Sequence, residues 1–397
     1  MRHIKTKAGL PPADPQQHEL SLVRGGLFYR AQQAGGLIRP DEWNHVRRIT
    51  LAIALGWVPL ILITSLFNPK ALVSLLVDYR VYSRMVIAVP VLLGGQWLME
   101  SRFRMIVRHI DEAGLLGSED RNRMDGMISL LKRLRDSIFP EVAVLVLLMV
   151  HTLTSFKSQL DVTPWLTYGT APNLHLTPAG WYAVLVSTSI FQFLLGLGLW
   201  QWLLWAVFAF QLSRLNLQLV PTHPDGHGGL GFLGLTPVAF TPVSFAAATV
   251  IGATWRRELL LHGVNLMAFK LPAIVFVVIV ALVAFGPLAF FVPRLAALRR
   301  QGILEYGTLG QIHSTDFHEK WIHQRKGHEG EFLTAPESSC LSDYGQSYQK
   351  LAALKPFPAD RGALIALAVS LVVPMLPAVL AAFPLVVVLK GLLEALR

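Results

Sequence analysis

The sequence has very little cysteine and little charge. Cys340 is the single cysteine in 397 residues, which excludes an intramolecular disulfide framework and any cysteine-rich zinc site. Charged residues make up 15% of the chain and hydrophobic residues 53%. So few charges could not cover the surfaces of several soluble domains of this total length. The composition therefore predicts an integral membrane protein whose main partner is the lipid bilayer.

Motifs of several enzyme classes are also missing. The sequence has no nucleophile elbow, H-E-x-x-H motif, phosphate-binding loop or dinucleotide fingerprint. This disfavours an enzyme, and no cofactor is predicted. The net charge of +10 would suit nucleic acid, but the basic residues lie between apolar blocks, where membrane topology explains them. We predict no nucleic-acid partner.

The apolar residues occur in seven runs near the roughly 20 residues that a helix needs to cross about 30 Å of hydrocarbon. They predict an all-α, polytopic helical membrane protein with about seven transmembrane segments, within a range of about six to eight. The second run is short because charged residues flank it. The fifth opens on prolines, which leaves a re-entrant segment as an alternative. The runs are Ile49 to Phe67, Met85 to Met99, Ile138 to Phe156, Trp181 to Leu212, Pro237 to Trp255, Leu271 to Val292 and Ala363 to Leu393.

The distribution of lysine and arginine predicts the orientation, because these residues are retained on the cytoplasmic side near span ends. Residues 1–48 and 101–137 carry eight each and residues 294–361 carry nine, whereas 158–180 carries none. The N-terminus is therefore predicted to be cytoplasmic. The predicted organisation is a cytoplasmic N-terminal segment 1–48, a transmembrane helical region 49–293 with a cytoplasmic helical hairpin 101–137 and a Gly-rich loop 216–236, a cytoplasmic segment 294–362, and a C-terminal Pro-broken transmembrane segment 363–397.

Apolar residues recur at helical spacing in both halves of the hairpin 101–137, which predicts two amphipathic cytoplasmic helices. Two placements fit this pattern. The helices could lie on anionic lipid headgroups, or they could pack under the bundle or against another subunit. Homo-oligomerisation or association with other membrane-protein subunits is predicted. The residues are Phe103, Ile106, Val107 and Ile110, followed by Met124, Met127, Ile128, Leu131 and Leu134.

Ionisable residues inside membrane spans are costly and are therefore functional candidates. His151 lies within the third predicted span and Glu141 lies near its start, and both are candidates for a pore or a proton relay. A hydrogen bond from a neutral His151 to a neighbouring helix would satisfy the imidazole without any function. Pro374 and Pro377 interrupt the last span, where two half-helices could line a substrate path; a kinked helix is the alternative.

The most distinctive string, Thr222 to Leu233, is T-H-P-D-G-H-G-G-L-G-F-L. His223, Asp225 and His227 alternate, so an extended backbone would project them to one side as ligands for Zn, Fe or Mn. Pro-Asp-Gly is also turn chemistry, which is the favoured interpretation, and a turn would destroy that alternation. The residues of the loop motif are His223, Pro224, Asp225, Gly228 and Gly229.

Several short blocks in fixed order resemble a family of uncharacterised bacterial polytopic inner-membrane proteins with a T-H-P-D-x-x-G-G-L-G-F-L loop motif. The resemblance covers most of the chain and implies a helical protein of the bacterial inner membrane. It supplies no activity, substrate or catalytic residue. The blocks include Trp57-Val58-Pro59-Leu60, Ala88-Val89-Pro90, Arg133-Leu134-Arg135-Asp136-Ser137, the Thr222 string, and Leu341 to Tyr348.

The favoured function is an ion channel or small-solute transporter, because Pro-broken spans, an intramembrane His151 and little extramembrane mass suit a conduction path. One alternative is a non-catalytic scaffold or regulatory subunit of a larger membrane complex. Another is a membrane-embedded metalloenzyme centred on His223, Asp225 and His227.

Overall fold

The computed structural model describes residues 21–38, 44–155, 163–170, 173–323 and 336–382. Within these residues the chain is almost entirely helical, with one antiparallel hairpin of two short strands. Six helical runs are long and apolar enough to cross a membrane, which confirms the predicted all-α polytopic class. The runs are His45–Phe67, Tyr79–Glu112, Pro178–Arg214, Gly231–Leu261, Leu266–Ala289 and Arg361–Ala382.

The described elements are named in chain order. The helices are α1 Gly26–Ala34, α2 His45–Phe67, α3 Leu72–Val77, α4 Tyr79–Tyr82, α5 Val89–Glu112, α6 Ser118–Asp136, α7 Phe139–Ser155, α8 Pro178–Tyr182, α9 Thr188–Arg214, α10 Thr241–Leu261, α11 Lys270–Ala289, α12 Val292–His318, α13 Pro336–Ala352 and α14 Arg361–Ala382. The strands are β1 Thr167–Thr170 and β2 Asn173–Leu176. Three π-helical turns lie at Ser83–Ala88, Ala183–Ser187 and Glu319–His323, and 3₁₀ turns lie at Pro69–Ala71, Gly231–Phe240 and Leu266–Phe269.

Contacts between connecting segments divide the bundle into two ends. At the distal end, which carries β1 and β2, the Asn68 side chain donates to the Pro164 carbonyl at 3.0 Å. At the proximal end, which carries α6, the Asn216 N–H donates to the Asp120 carboxylate at 3.1 Å. Successive long helices therefore run alternately between the two ends.

α7 has 17 residues and is not one of the six long runs, yet it connects the same two ends. Its first turn meets the N-terminal segment at the proximal end, where Glu141 accepts a hydrogen bond from the Phe28 N–H at 2.9 Å. The chain after α7 reaches Pro164 at the distal end. Adding α7 to the six keeps the alternation that the seven predicted runs require.

The second predicted span is longer than predicted. A continuous helical run covers Tyr79–Glu112 in place of Met85 to Met99. The prediction ended at charged flanks, but Arg84 and Glu100 lie inside the run, where each has a hydrogen-bond partner on another segment. The helical run is therefore longer than the short segment that the flanking charges predicted.

The amphipathic hairpin packs into the protein. Phe103 and Leu131 are fully buried, and the apolar faces of α5 and α6 join the main hydrophobic core with Leu212 at the end of α9. Burying these faces against the bundle removes them from lipid, because one apolar stripe can be covered only once. Of the two predicted placements, the structure has the packed one.

α14 runs through Pro374 and Pro377 without a break, so the described part of the last segment is one helix and not two half-helices. It packs along α10, where the Ser244 and Ser370 hydroxyls are 2.8 Å apart. Close packing on a neighbouring helix holds the backbone that the prolines would otherwise break. Pro384 lies outside the described residues.

α12 and α13 form an antiparallel helical hairpin at the proximal end. The ring of Tyr344 on α13 stacks on that of Tyr306 on α12, with centroids 6.3 Å apart, and its hydroxyl donates to the Tyr306 carbonyl. Leu304 and Ile312 remain 72% and 54% exposed on the outer face of α12. This hairpin occupies most of the predicted cytoplasmic segment 294–362.

Candidate functional site

The third predicted span contains two titratable candidates, Glu141 and His151, and the structure describes the side chain of Glu141 only. Glu141 is buried and accepts backbone hydrogen bonds at the start of α1, including the one from Phe28, so it anchors the N-terminal segment. A carboxylate at a helix N-terminus is a stabilising arrangement and needs no pore to explain it. His151 belongs to α7, and its side chain lies outside what the structure describes.

The loop motif is organised around the Asp225 carboxylate. It accepts backbone hydrogen bonds from His227 and Gly231, each at 2.8 Å, and from Gly229 at 3.1 Å. The His223 Nδ1 atom lies 2.8 Å from the same carboxylate. Asp225 is therefore the centre of a closed turn, as the Pro-Asp-Gly sequence favours.

The same turn separates the three candidate metal ligands. His227 Nδ1 lies 2.9 Å from the Lys355 carbonyl, which ties the loop to the segment before α14. Gly226, Gly228 and Gly229 all have positive φ angles, a backbone that glycine adopts without strain. In the described part of the chain, no group of three or more His, Cys, Asp or Glu side chains is placed to hold a metal ion. The loop thus brings His223 to Asp225 but turns His227 elsewhere.

Asp225→Asn is expected to reduce the stability of the protein by about 2 kcal/mol at neutral pH, because three backbone N–H donors lose a charged acceptor. Partial burial raises the pKa of Asp225, but hydrogen bonds from the amides of His227, Gly231 and Gly229 lower it more, so it lies below the usual value. The stabilisation is therefore complete above about pH 4 and is lost as the pH falls through the lowered pKa. Thermal unfolding in detergent between neutral and acid pH measures it, with Asp343→Asn on exposed α13 as the control. Equal melting temperatures for wild type and Asp225→Asn at pH 7 would contradict it.

The strongest candidate site lies where two π-helical turns meet. Arg84 belongs to the turn Ser83–Ala88, and its Nη1 donates to the Thr188 hydroxyl at 2.6 Å. Thr188 directly follows the turn Ala183–Ser187. π-turns inside helices are rare and occur often at functional sites, because they re-aim side chains. Here they join an arginine and a hydroxyl between two membrane-crossing helices.

Packing against α2 shows the depth of Arg84. Gly56 is the central residue of the 23-residue α2, and a Cβ there would collide with the sulfur of Met85, the residue after Arg84. The Tyr182 hydroxyl donates to the Leu55 carbonyl at 2.6 Å, so the second π-turn lies at the same level. Arg84 therefore lies level with the middle of α2 rather than with either end of that helix. Ionisable side chains at such depth are functional candidates.

Several buried polar atoms near this level lack a hydrogen-bond partner within the described residues. They are Arg84 Nε, Gln192 Oε1 and Trp57 Nε1. Gln192 lies one turn after Thr188 on the same face of α9. Trp57 follows Gly56 on α2, and its ring packs edge to face on Tyr82 at 5.1 Å. Arg84, Thr188 and Gln192 are together called the Arg84 cluster.

An ion pair lies on the distal side of the Arg84 cluster. Asp78 accepts two hydrogen bonds from the Arg80 guanidinium, at 2.9 and 3.2 Å, and one from the Trp165 indole at 3.1 Å. Burial raises the pKa of Asp78, but these bonds lower it more, so the carboxylate stays ionised. Arg80 thus neutralises Asp78, whereas Arg84 forms no ion pair among the described residues.

The sequence carried one usable signal for Arg84. Between Tyr79 and Val89 it has no glycine or proline, so nothing stops the helix at Met85. Extending the span backwards would have placed Arg84 inside it. The contact with Thr188 joins residues 104 positions apart and has no local signature.

Comparisons with protein-family models, with curated proteins and with solved structures find no match. The fold therefore defines the class by itself: a multi-pass α-helical membrane protein with a partly buried polar cluster between its apolar helices.

Proposed function

We propose that the protein is an ion channel or small-solute transporter whose path passes the Arg84 cluster. The supporting observation is the guanidinium of Arg84, which lies at the level of the centre of α2 with its Nε buried and unpaired within the described residues. A protein that only packs helices gains nothing from such a group, because an unpaired buried donor costs about 1–3 kcal/mol. A hydrated path or a bound solute would supply the missing partner.

Further buried polar atoms support a path through the proximal half of the bundle. Gln201 Oε1, Trp205 Nε1 and Thr236 Oγ1 are also buried without a hydrogen-bond partner in the described chain. Gln201 and Trp205 lie one turn apart on α9, on the side of the helix about 180° from Gln192. Unsatisfied polar atoms are rare in folded cores and call for a water molecule, ion or ligand.

The proposal includes the bacterial inner membrane as location, with the proximal end in the cytoplasm. Residues 101–137 carry eight lysines and arginines and residues 294–361 carry nine, and the described parts of both segments lie at the proximal end. These residues are retained on the cytoplasmic side. The exposed Cys340 on α13 would then face the cytoplasm.

Flux from proteoliposomes loaded with a panel of salts and small neutral solutes tests the proposal. Wild type is expected to release at least one species well above protein-free vesicles, and Arg84→Gln to change that flux about tenfold, as expected for loss of one charge-assisted contact. Arg108→Gln is the matched control, because Arg108 is exposed on the same helix. Labelling of Cys340 by an impermeant maleimide reports the inserted fraction and its orientation.

The proposal is contradicted if vesicles that contain correctly inserted wild-type protein release none of the loaded species faster than protein-free vesicles. That result would favour the second candidate, a non-catalytic subunit of a membrane complex. The exposed apolar side chains Leu304 and Ile312 on α12 support this alternative, since they suit contact with another protein.

A further inference from the structure

We propose that the Arg84 cluster is an anion site, and that a small monovalent anion is the species that the protein conducts. The binding part is carried by the geometry of the cluster, and the conduction part rests on the proposed function.

The Arg84 cluster offers hydrogen-bond donors to a ligand. Arg84 Nε is an N–H donor that is buried without a partner in the described residues. The Thr188 hydroxyl accepts from Arg84 and has its own proton to give. The unpaired atom of Gln192 is its Oε1, which is an acceptor. A ligand at this site must accept hydrogen bonds from Arg84, which favours an anion over a metal cation or an ammonium group.

The charge balance leads to the same ligand class. Among the described residues Asp78 forms an ion pair with Arg80 and Arg84 forms none, so the two arginines and the one nearby carboxylate leave one positive charge unbalanced. A buried unpaired charge is unfavourable, and an anion of charge −1 would neutralise it. A planar guanidinium is well suited to this function because it is weakly hydrated and donates several hydrogen bonds from one edge. One unbalanced charge favours a monovalent over a divalent anion.

The surroundings favour entry of anions from the distal end. Arg256 and Arg257 close α10 at that end, and α10 packs against the π-turn that carries Arg84. The Arg256 guanidinium lies 4.9 Å from the centre of the Tyr79 ring, and Arg257 donates to Thr163 at 2.8 Å. Arginines near the distal end of the bundle raise the local concentration of anions there.

An anionic lipid headgroup has the same chemistry as a free anion, and depth distinguishes them. Gly56, which packs beside Met85, has eleven residues of α2 on either side. At 1.5 Å per residue this is about 16 Å from either end of the helix, in the hydrocarbon rather than the headgroup layer. The site therefore fits a free anion better than a lipid phosphate.

Binding is measured separately from flux, so that the two proposals can fail independently. Detergent-solubilised protein in sodium gluconate is titrated with sodium chloride or sodium nitrate, and the melting temperature reports occupancy. Wild type and Arg108→Gln are expected to be stabilised equally, and Arg84→Gln to bind about tenfold more weakly or not at all. Arg84→Lys keeps the charge but loses the planar fork, and is expected to lie in between. A parallel series replaces the salts by phosphatidylglycerol in phosphatidylcholine nanodiscs.

Each outcome supports or overturns one part of the proposal, either anion binding at Arg84 or anion conduction. Chloride or nitrate stabilisation that depends on Arg84, in a protein that leaves vesicles tight, supports the anion site and overturns conduction. Cation or neutral-solute flux without any anion effect on Arg84-dependent stability overturns the anion site and leaves the proposed function standing. Protection by phosphatidylglycerol alone overturns the free anion in favour of a lipid phosphate. If Arg84→Gln does not fold, the comparison of wild type with Arg84→Lys replaces it. Equal anion affinities of these two proteins would overturn the assignment of the anion site to Arg84.

Discussion

Glu100→Ala is expected to detach the N-terminal segment from the bundle and to lower the free energy of unfolding by about 3 kcal/mol. Glu100 is 3% exposed and accepts from the Ser21 hydroxyl at 2.8 Å, the Val23 N–H at 3.3 Å and the Arg104 guanidinium at 2.7 Å. Without the carboxylate, buried donors of Ser21 and Val23 lose their acceptor, and each such loss costs about 1–3 kcal/mol. Local release of the segment is therefore the least costly response.

Two measurements check this result. Denaturant unfolding in detergent gives the change in stability, and limited trypsin digestion reports exposure of Arg24 and Arg30, where cleavage is expected to accelerate about tenfold or more. Glu112→Ala is the matched control, because Glu112 forms an exposed pair with Arg108 on the same helix. Exposed pairs of this kind contribute about 0.5 kcal/mol. Unchanged trypsin sensitivity of Glu100→Ala would show that Glu100 does not hold the segment.

The class of fold was predictable because it depends on composition and period. Apolar runs of spanning length predicted the helices, and the spacing of Phe103, Ile106 and Ile110 predicted the amphipathic hairpin. These patterns need only local information, since one face of a helix must be covered by something apolar. The pattern did not say what covers it, so lipid and protein remained alternatives until the packing of α5 and α6 was seen.

The predicted boundaries of the second span differ from those of the helix for a physical reason. Charges end a span when they must reach water, and this rule placed the ends at Arg84 and Glu100. Both side chains find partners inside the protein instead, Arg84 at Thr188 and Glu100 at Ser21. Their long-range partners remove the need for water, and one sequence does not show which residues will meet across such a separation.

The candidate site was largely invisible in the sequence. The loop around Asp225 was predicted as a turn because its chemistry is local, and the structure agrees. The Arg84 cluster draws residues from α9 and a π-turn far from it in sequence, so no single segment carries its pattern. Glu141 shows the converse case, in which an ionisable residue in a predicted span serves to hold α1. Burial alone therefore does not single out candidate functional groups, whereas unpaired polar atoms led to the proposed site.

Gly252→Leu is expected to separate α14 from α10 and to cost about 3 kcal/mol of stability. A Cβ at Gly252 would lie 3.0 Å from the Pro374 carbonyl oxygen and 3.3 Å from the Met375 Cα. Both are backbone atoms, so α14 must move as a whole to admit a larger side chain. Moving it also separates the Ser244 and Ser370 hydroxyls, which lie 2.8 Å apart in the same interface. Unfolding in detergent by heat or denaturant measures the loss.

Gly286→Leu in α11 provides the matched control, because a Cβ at Gly286 meets nothing within 4 Å. Leucine is a better helix former than glycine, so this variant is expected to keep wild-type stability or gain up to about 1 kcal/mol. Gly252→Ala should lie between the two, since a methyl group requires a shift of only a few tenths of an ångström. A graded loss at residue 252 with none at residue 286 would identify steric exclusion at the α10 and α14 contact. Equal behaviour of the two leucine variants would show that Gly252 is not needed for close approach, and that the prolines of α14 are held by other contacts.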